Sequence, residues 1–135
     1  MTFLDARDEM LAVFLAVWNT TGHPIVWTDL PGDVPTTEIS WARVTVKHAI
    51  GKQGSLAGEV GNRMFDRKGT IFIQIFTPVG DGGVTAYQLA QLVVNAYQDA
   101  RLDVWFRNTR IKEVGASGAF EQINVLTDFH YDDVR

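Results

Sequence analysis

Thr70-Ile-Phe-Ile-Gln-Ile-Phe-Thr77 decides the fold class. β-branched and aromatic residues fill it, and it carries no charge, glycine or proline. Such a stretch fits a pleated, half-buried surface better than a helix. Pro78 ends it, because proline has no N–H to give to a strand ladder. The strand is predicted to run back to Arg63. Ahead of it, Ala49 to Asn62 holds Gly51, Gly54, Gly58 and Gly61 among small and polar residues. With no core pattern, that stretch reads as a long Gly-rich loop or extended hairpin tip, a feature that is usually functional or disordered. Further back, Ser40 to His48 alternates: Trp41, Arg43, Thr45 and Lys47 share one face, and Ala42, Val44 and Val46 share the other. This predicts a strand with one buried and one wetter face. Ile25-Val-Trp27 is a short candidate edge strand, followed by a loop marked by Pro31, Gly32 and Pro35.

Helical periodicity brackets these strands. Leu4, Leu11, Phe14, Leu15 and Trp18 recur at helical spacing, so a first helix is predicted from Leu4 to Thr20. Thr2 and Asp5 have capping-box spacing at its start, and Gly22 and Pro24 stop it. After a Gly80-Asp-Gly-Gly83 turn, Thr85 and Gln88 suggest a second capping box. Tyr87, Ala90, Val93, Val94 and Tyr97 predict a second helix to Ala100. Val104 to Val114 and Ala119 to Tyr131 read as two strands joined at Gly115-Ala-Ser-Gly118. On the last strand Ile123, Val125, Thr127, Phe129 and Tyr131 share a face. Two amphipathic helices cannot cover both faces of a four- or five-stranded sheet. The expected class is α+β, with both helices on one face of a mainly antiparallel sheet. The other face keeps Trp41 and several charges, and a partly apolar, uncovered face invites another subunit.

The chain has 135 residues, 12 Lys plus Arg, 16 Asp plus Glu and a formal net charge of −4. Length points to one domain over 1–135, large enough for a core without staples. With no cysteine, disulfide scaffolds, thiolate metal sites and a cysteine nucleophile are excluded. No apolar run approaches the ~18 residues that a membrane span needs, and the acidic N-terminus, with Asp5, Asp8 and Glu9, is unlike a signal peptide. The expectation is a cytosolic, soluble protein with no membrane partner. Charge is uneven. From Arg43 to Lys68 there are six bases (Arg43, Lys47, Lys52, Arg63, Arg67 and Lys68) and two acids (Glu59 and Asp66), a local +4. With −4 overall, the remainder carries −8. A cationic segment on an acidic body can steer an anionic partner or match a copy of itself. It can equally solvate strand edges and a loop.

Catalytic arrangements are scarce. Gly54-Ser-Leu-Ala-Gly58 places Ser55 one position early for a nucleophile elbow. The glycines of 51–61 lack the Lys-Ser/Thr ending of a phosphate-binding P-loop. Asp128, His130 and Asp132 alternate along one strand and offer carboxylate and imidazole donors about 6–7 Å apart. They could serve Mg²⁺, Mn²⁺ or zinc in a small metal-dependent enzyme, or simply form a solvated strand end. His23 and His48 read as surface or capping residues. Nothing assembles a nucleophile, base and oxyanion site, so no catalytic activity, cofactor or metal is expected. Trp41 beside Arg43 and Lys47, and Trp105 beside Arg107, have the composition of interface anchors. Alternatively, each indole lies over a neighbouring strand with its arginine stacked on it.

Phe3-Leu-Asp-Ala-Arg7, Phe14-Leu-Ala-Val-Trp18-Asn and Trp41-Ala-Arg-Val-Thr-Val46 resemble, in order, small tail proteins of long-tailed bacteriophages and prophages. So do Gly69-Thr-Ile-Phe-Ile-Gln-Ile-Phe-Thr-Pro78 with its Gly80-Asp-Gly turn, Val104-Trp-Phe-Arg107 and the closing Phe129-His-Tyr-Asp132. Together they are similar to the tail-terminator (tail-completion) family, which includes the lambda minor tail protein U. The likeness spans nearly the whole chain and lies in apolar and turn patterns. It implies an antiparallel sheet with helices to one side and a homo-oligomeric ring, usually a hexamer. It further implies that the ring caps the tail-tube protein, stops tube polymerisation and presents the surface that docks head–tail connector proteins. The place implied is the virion tail, with assembly in the bacterial host cytoplasm. The family offers no catalytic residues to transfer. Another head–tail joining protein of the neck is the alternative, distinguished by binding filled heads rather than bare tails.

A ring closes through heterologous patches, and the +4 segment on a −8 remainder is one way to supply them. Trp41, Arg43, Lys47, Lys52, Arg63, Arg67, Lys68, Trp105 and Arg107 are the candidate interface or lumen residues. The glycine-rich tip at 49–62 could order only in the assembly, with 49–68 partly disordered in the free monomer. Lys52 and Arg63 could touch passing DNA by phosphate charge alone.

Overall fold

A computed structural model describes residues 1–27, 39–49, 52–53 and 64–134. Helix α1 (Phe3–Trp18) is followed by strands β1 (Ile25–Trp27), β2 (Trp41–His48), β3 (Lys52–Gln53) and β4 (Met64–Pro78). Helix α2 (Val84–Asp99) and strands β5 (Trp105–Ser117) and β6 (Phe120–Val134) complete the order. The sheet runs β1-β2-β4-β6-β5, and β3 pairs with β4 off this path. Among the described residues only the β1–β2 pair is parallel. The architecture is α+β, two helices with a mainly antiparallel sheet. Its five-strand path matches the upper expectation, and two-residue β3 adds a sixth strand.

The Thr70–Thr77 stretch lies in β4 at the middle of the sheet. There β4 pairs with β2 on one side and with β6 along its whole length on the other. Period-two alternation then sets the two faces. Ala42 and Val44 of β2, Ile71, Ile73 and Ile75 of β4, and Ile123, Val125, Phe129 and Tyr131 of β6 join the core with both helices. Uncharged, β-branched side chains at every second position make that face, which is why the segment sits at the centre and not at an edge.

Both helices bury the middle of the stripe that apolar spacing suggests, Leu11, Phe14 and Trp18 in α1 and Ala90, Val93 and Tyr97 in α2, and differ from it at the border. In α1 the buried residues are Ala6, Met10, Leu11, Phe14 and Trp18, while Leu4 is 62% exposed. The Tyr97 hydroxyl of α2 donates to the Met10 carbonyl at 3.0 Å. In α2 Ala86, Leu89, Ala90, Val93 and Tyr97 are buried, and Tyr87 points out. The Thr2–Asp5 capping box forms: Asp5 N–H donates to Thr2 Oγ1 at 3.1 Å, and Thr2 N–H donates to Asp5 Oδ2 at 3.3 Å. The expected Thr85–Gln88 box does not. Gly83 is the N-cap residue in the left-handed region, and the Asp81 carboxylate accepts from Gly83 N–H at 2.9 Å and Thr85 N–H at 3.1 Å. An aspartate inside the glycine turn reaches the exposed amides before a serine- or threonine-type cap can.

The β5–β6 hairpin is also tighter than expected. Its turn is Gly118-Ala119, and Gly115 lies inside β5 at a register shift with φ of 100°. A second shift falls between Arg107 and Arg110, where Asn108 has φ of 54°. Met64 to Lys68, expected to be partly disordered, continue β4 and pair with β6 from Val134 to His130. Most of the glycine-rich stretch and Arg63 lie outside the described residues.

Candidate functional site: the open sheet face

Strand phase alone builds this surface. Positions of β2, β4 and β6 that alternate with the core residues all point away from the helices, and among the described residues no helix packs over them. Among the described residues of β2, β4, β5 and β6, register places Arg43, Lys47, Lys68, Arg107, Arg110 and Lys112 on this face, six cations against the three carboxylates Asp66, Asp128 and Asp132. Along the middle, Thr45, Lys47, Phe72, Gln74 and Asn124 line a shallow depression of about 240 Å³.

The charges fall into three groups. At one end Trp41 lies flat on Phe76, 4.0 Å between ring centroids, and the Arg43 guanidinium sits 5.4 Å from the Trp41 ring centre. Trp41 is only 3% exposed, so its indole packs across the neighbouring strand and is not presented to a partner. Near β5, Asp128 accepts from Thr70 Oγ1 at 3.1 Å, from Asn108 Nδ2 at 3.2 Å and from Arg110 at 3.3 Å. Despite the opposing effect of burial, the hydrogen bonds from Asn108 and Thr70 and the Arg110 charge leave its carboxyl below the usual range. At the far end His130 Nε2 lies 2.6 Å from Asp66 Oδ1 and 4.0 Å from Asp132 Oδ1. The bond to His130 is the main reason the Asp66 carboxyl is held below its usual range. Trp105, 62% exposed, meets His130 edge-on at 5.2 Å. Lys47, Arg107 and Lys112 have no ion-pair partner among the described residues.

The nine sequence candidates therefore part company. Arg43, Lys47, Lys68, Trp105 and Arg107 share the open face, and Trp41 lies on it but buried. Lys52 takes the register position opposite Asp66. Arg67 belongs to the helix side. It pairs with Asp133 at 3.5 Å, and its guanidinium lies 4.9 Å from the Phe3 ring centre and 5.2 Å from that of Phe65. The candidate Asp128–His130–Asp132 trio does not come together: Asp128 turns to Arg110 and Asn108, and Asp66 from β4 lies beside His130 in its place. Alternation on one strand cannot reveal that substitution, because it depends on which strand lies alongside. His48 bonds to the Tyr131 hydroxyl at 2.7 Å, edge-on to Phe3 and Phe129.

No protein-family model matches the chain, and no curated protein sequence matches it. A solved structure is similar with a TM-score of 0.60 and 15% identity, covering 96% of this chain and 96% of its own. At that identity the likeness concerns the fold alone.

Proposed function

We propose that this chain is a phage tail-terminator protein: a structural, non-enzymatic subunit that forms a ring on the tail tube, stops its growth and offers the head-docking surface. The observation that carries the reading is the polarity of the fold. Among the described residues of β2, β4, β5 and β6, one face of the sheet holds six cations against three carboxylates. The helical layer behind it holds Asp5, Asp8, Glu9 and Asp99 against the single Arg7. A subunit with opposite charge on opposite sides can meet its copy head to tail, the heterologous contact that a closed ring requires. The β5 edge is a poor alternative. Its two bulges and its exposed Arg107, Arg110 and Lys112 are devices that discourage strand-to-strand pairing. The order of motifs along the chain supplies the phage-tail context.

Negative-stain imaging of the purified protein at high concentration, alone and with bare tail tubes, tests the proposal. Rings of a single diameter, on the tube ends when tubes are present, are expected. A strict monomer by sedimentation at high concentration, together with bare tube ends, would remove it.

A further inference from the structure

We propose that Asp66, His130 and Asp132 form a binding site for one divalent ion of the zinc class. The inference does not rest on the ring reading. Asp66 and Asp132 occupy the same rung of the β4–β6 ladder, directly opposite each other. Like charges in that relation destabilise a strand pair, and a cation held between them would offset the repulsion. His130 stands two residues before Asp132 on the same face, and one donor atom from each of the three lies within 4.8 Å of the others. A zinc ion holds nitrogen and oxygen donors at about 2.1 Å, so tetrahedral angles space them about 3.4 Å apart. The observed separations from His130 Nε2, 2.6 Å to Asp66 and 4.0 Å to Asp132, fall on either side of that spacing. Small side-chain rotations on fixed backbone rungs would bring all three donors to one ion.

The donor set chooses the ion. One imidazole with two carboxylates suits zinc, cobalt or nickel, whereas Mg²⁺ and Ca²⁺ prefer oxygen throughout. Asp66 and His130 are half-buried and Asp132 is exposed, so three protein donors would leave a coordination position toward solvent. Two carboxylates and a neutral imidazole also match a dipositive ion in charge. The competing cation is Lys68, in register with His130.

Calorimetric titration of the untagged, chelator-treated full chain with Zn²⁺ tests the site. One equivalent should bind and raise the melting temperature. Asp66→Asn and His130→Gln should each weaken binding tenfold or more. Asp128→Asn and His48→Gln, which alter groups committed elsewhere, should leave it within twofold. Co²⁺ should give visible absorption that His130→Gln removes. Absence of heat and of any melting shift at millimolar Zn²⁺ would overturn the proposal. So would undiminished binding by both Asp66→Asn and His130→Gln, or Mg²⁺ binding as tightly as Zn²⁺.

Discussion

Gly69 sits on β4 in register with both His48 of β2 and Phe129 of β6. A methyl group there would meet the Lys47 carbonyl oxygen at 2.1 Å and the Phe129 ring at 2.5 Å. Neither the paired backbone nor the buried ring can move aside, so Gly69→Ala should cost about 3 kcal/mol in urea denaturation. The neighbouring His48 carries a pH effect. Burial, then the Arg67 charge, holds its pKa below the ordinary 6.5. The fold therefore favours neutral imidazole. That contribution is complete above the unfolded value and is lost as pH falls through the lower folded value. Between pH 7.5 and 5.5 the melting temperature should fall further in the wild type than in His48→Gln. The carboxylates Asp66, Asp81 and Asp128, all held below their usual range, act at lower pH. Their stabilisation is present above about pH 4 and is lost in stronger acid.

Helix α2 begins at a turn whose aspartate satisfies the first amides and whose carboxyl is held down chiefly by the Thr85 hydroxyl. Asp81→Ala should lower the melting temperature, whereas Gln88→Ala, outside any cap, should not. Calorimetry of the two variants separates them. The contrast shows where reading residues in order succeeds. Strand phase was legible: β2, β4 and β6 alternate as expected, because each faces core on one side only. Helix existence was legible as well. The stripe of α1 was legible at Leu11, Phe14 and Trp18 but not at its border, where Ala6 and Met10 are buried and Leu4 is exposed, because the border is set by where α2 and the sheet lie. For the site, Arg43, Lys47, Lys68 and Arg107 could be placed from alternation. Asp66 beside His130 could not, since their meeting depends on β4 and β6 being neighbours across 64 positions of sequence. Trp41 follows the second of the two readings its sequence position allowed: its phase points outward, and Phe76 on the next strand gives its ring a place to lie.

Across the whole molecule, charge polarity makes a prediction that single residues do not. The double variant Lys47→Glu, Lys112→Glu should melt within about 2 °C of the wild type, because both side chains are exposed, face the neutral Thr70 and Asn124 across the ladder, and are without ion partners among the described residues. Ring formation by that variant should nevertheless fall at least tenfold by sedimentation, and high salt should weaken assembly of the wild type in the same way. Chain order adds a different demand. The central strand β4 gains its first neighbour early, from β2, but its second only when β6 has been synthesised. Until then Thr70–Phe76, seven uncharged residues free of glycine and proline, has one naked side. Such a segment can stack with copies of itself into cross-β fibrils. A nascent or half-unfolded chain thus depends on chaperones, or on speed, to zip its last strand home before a sister molecule does so instead.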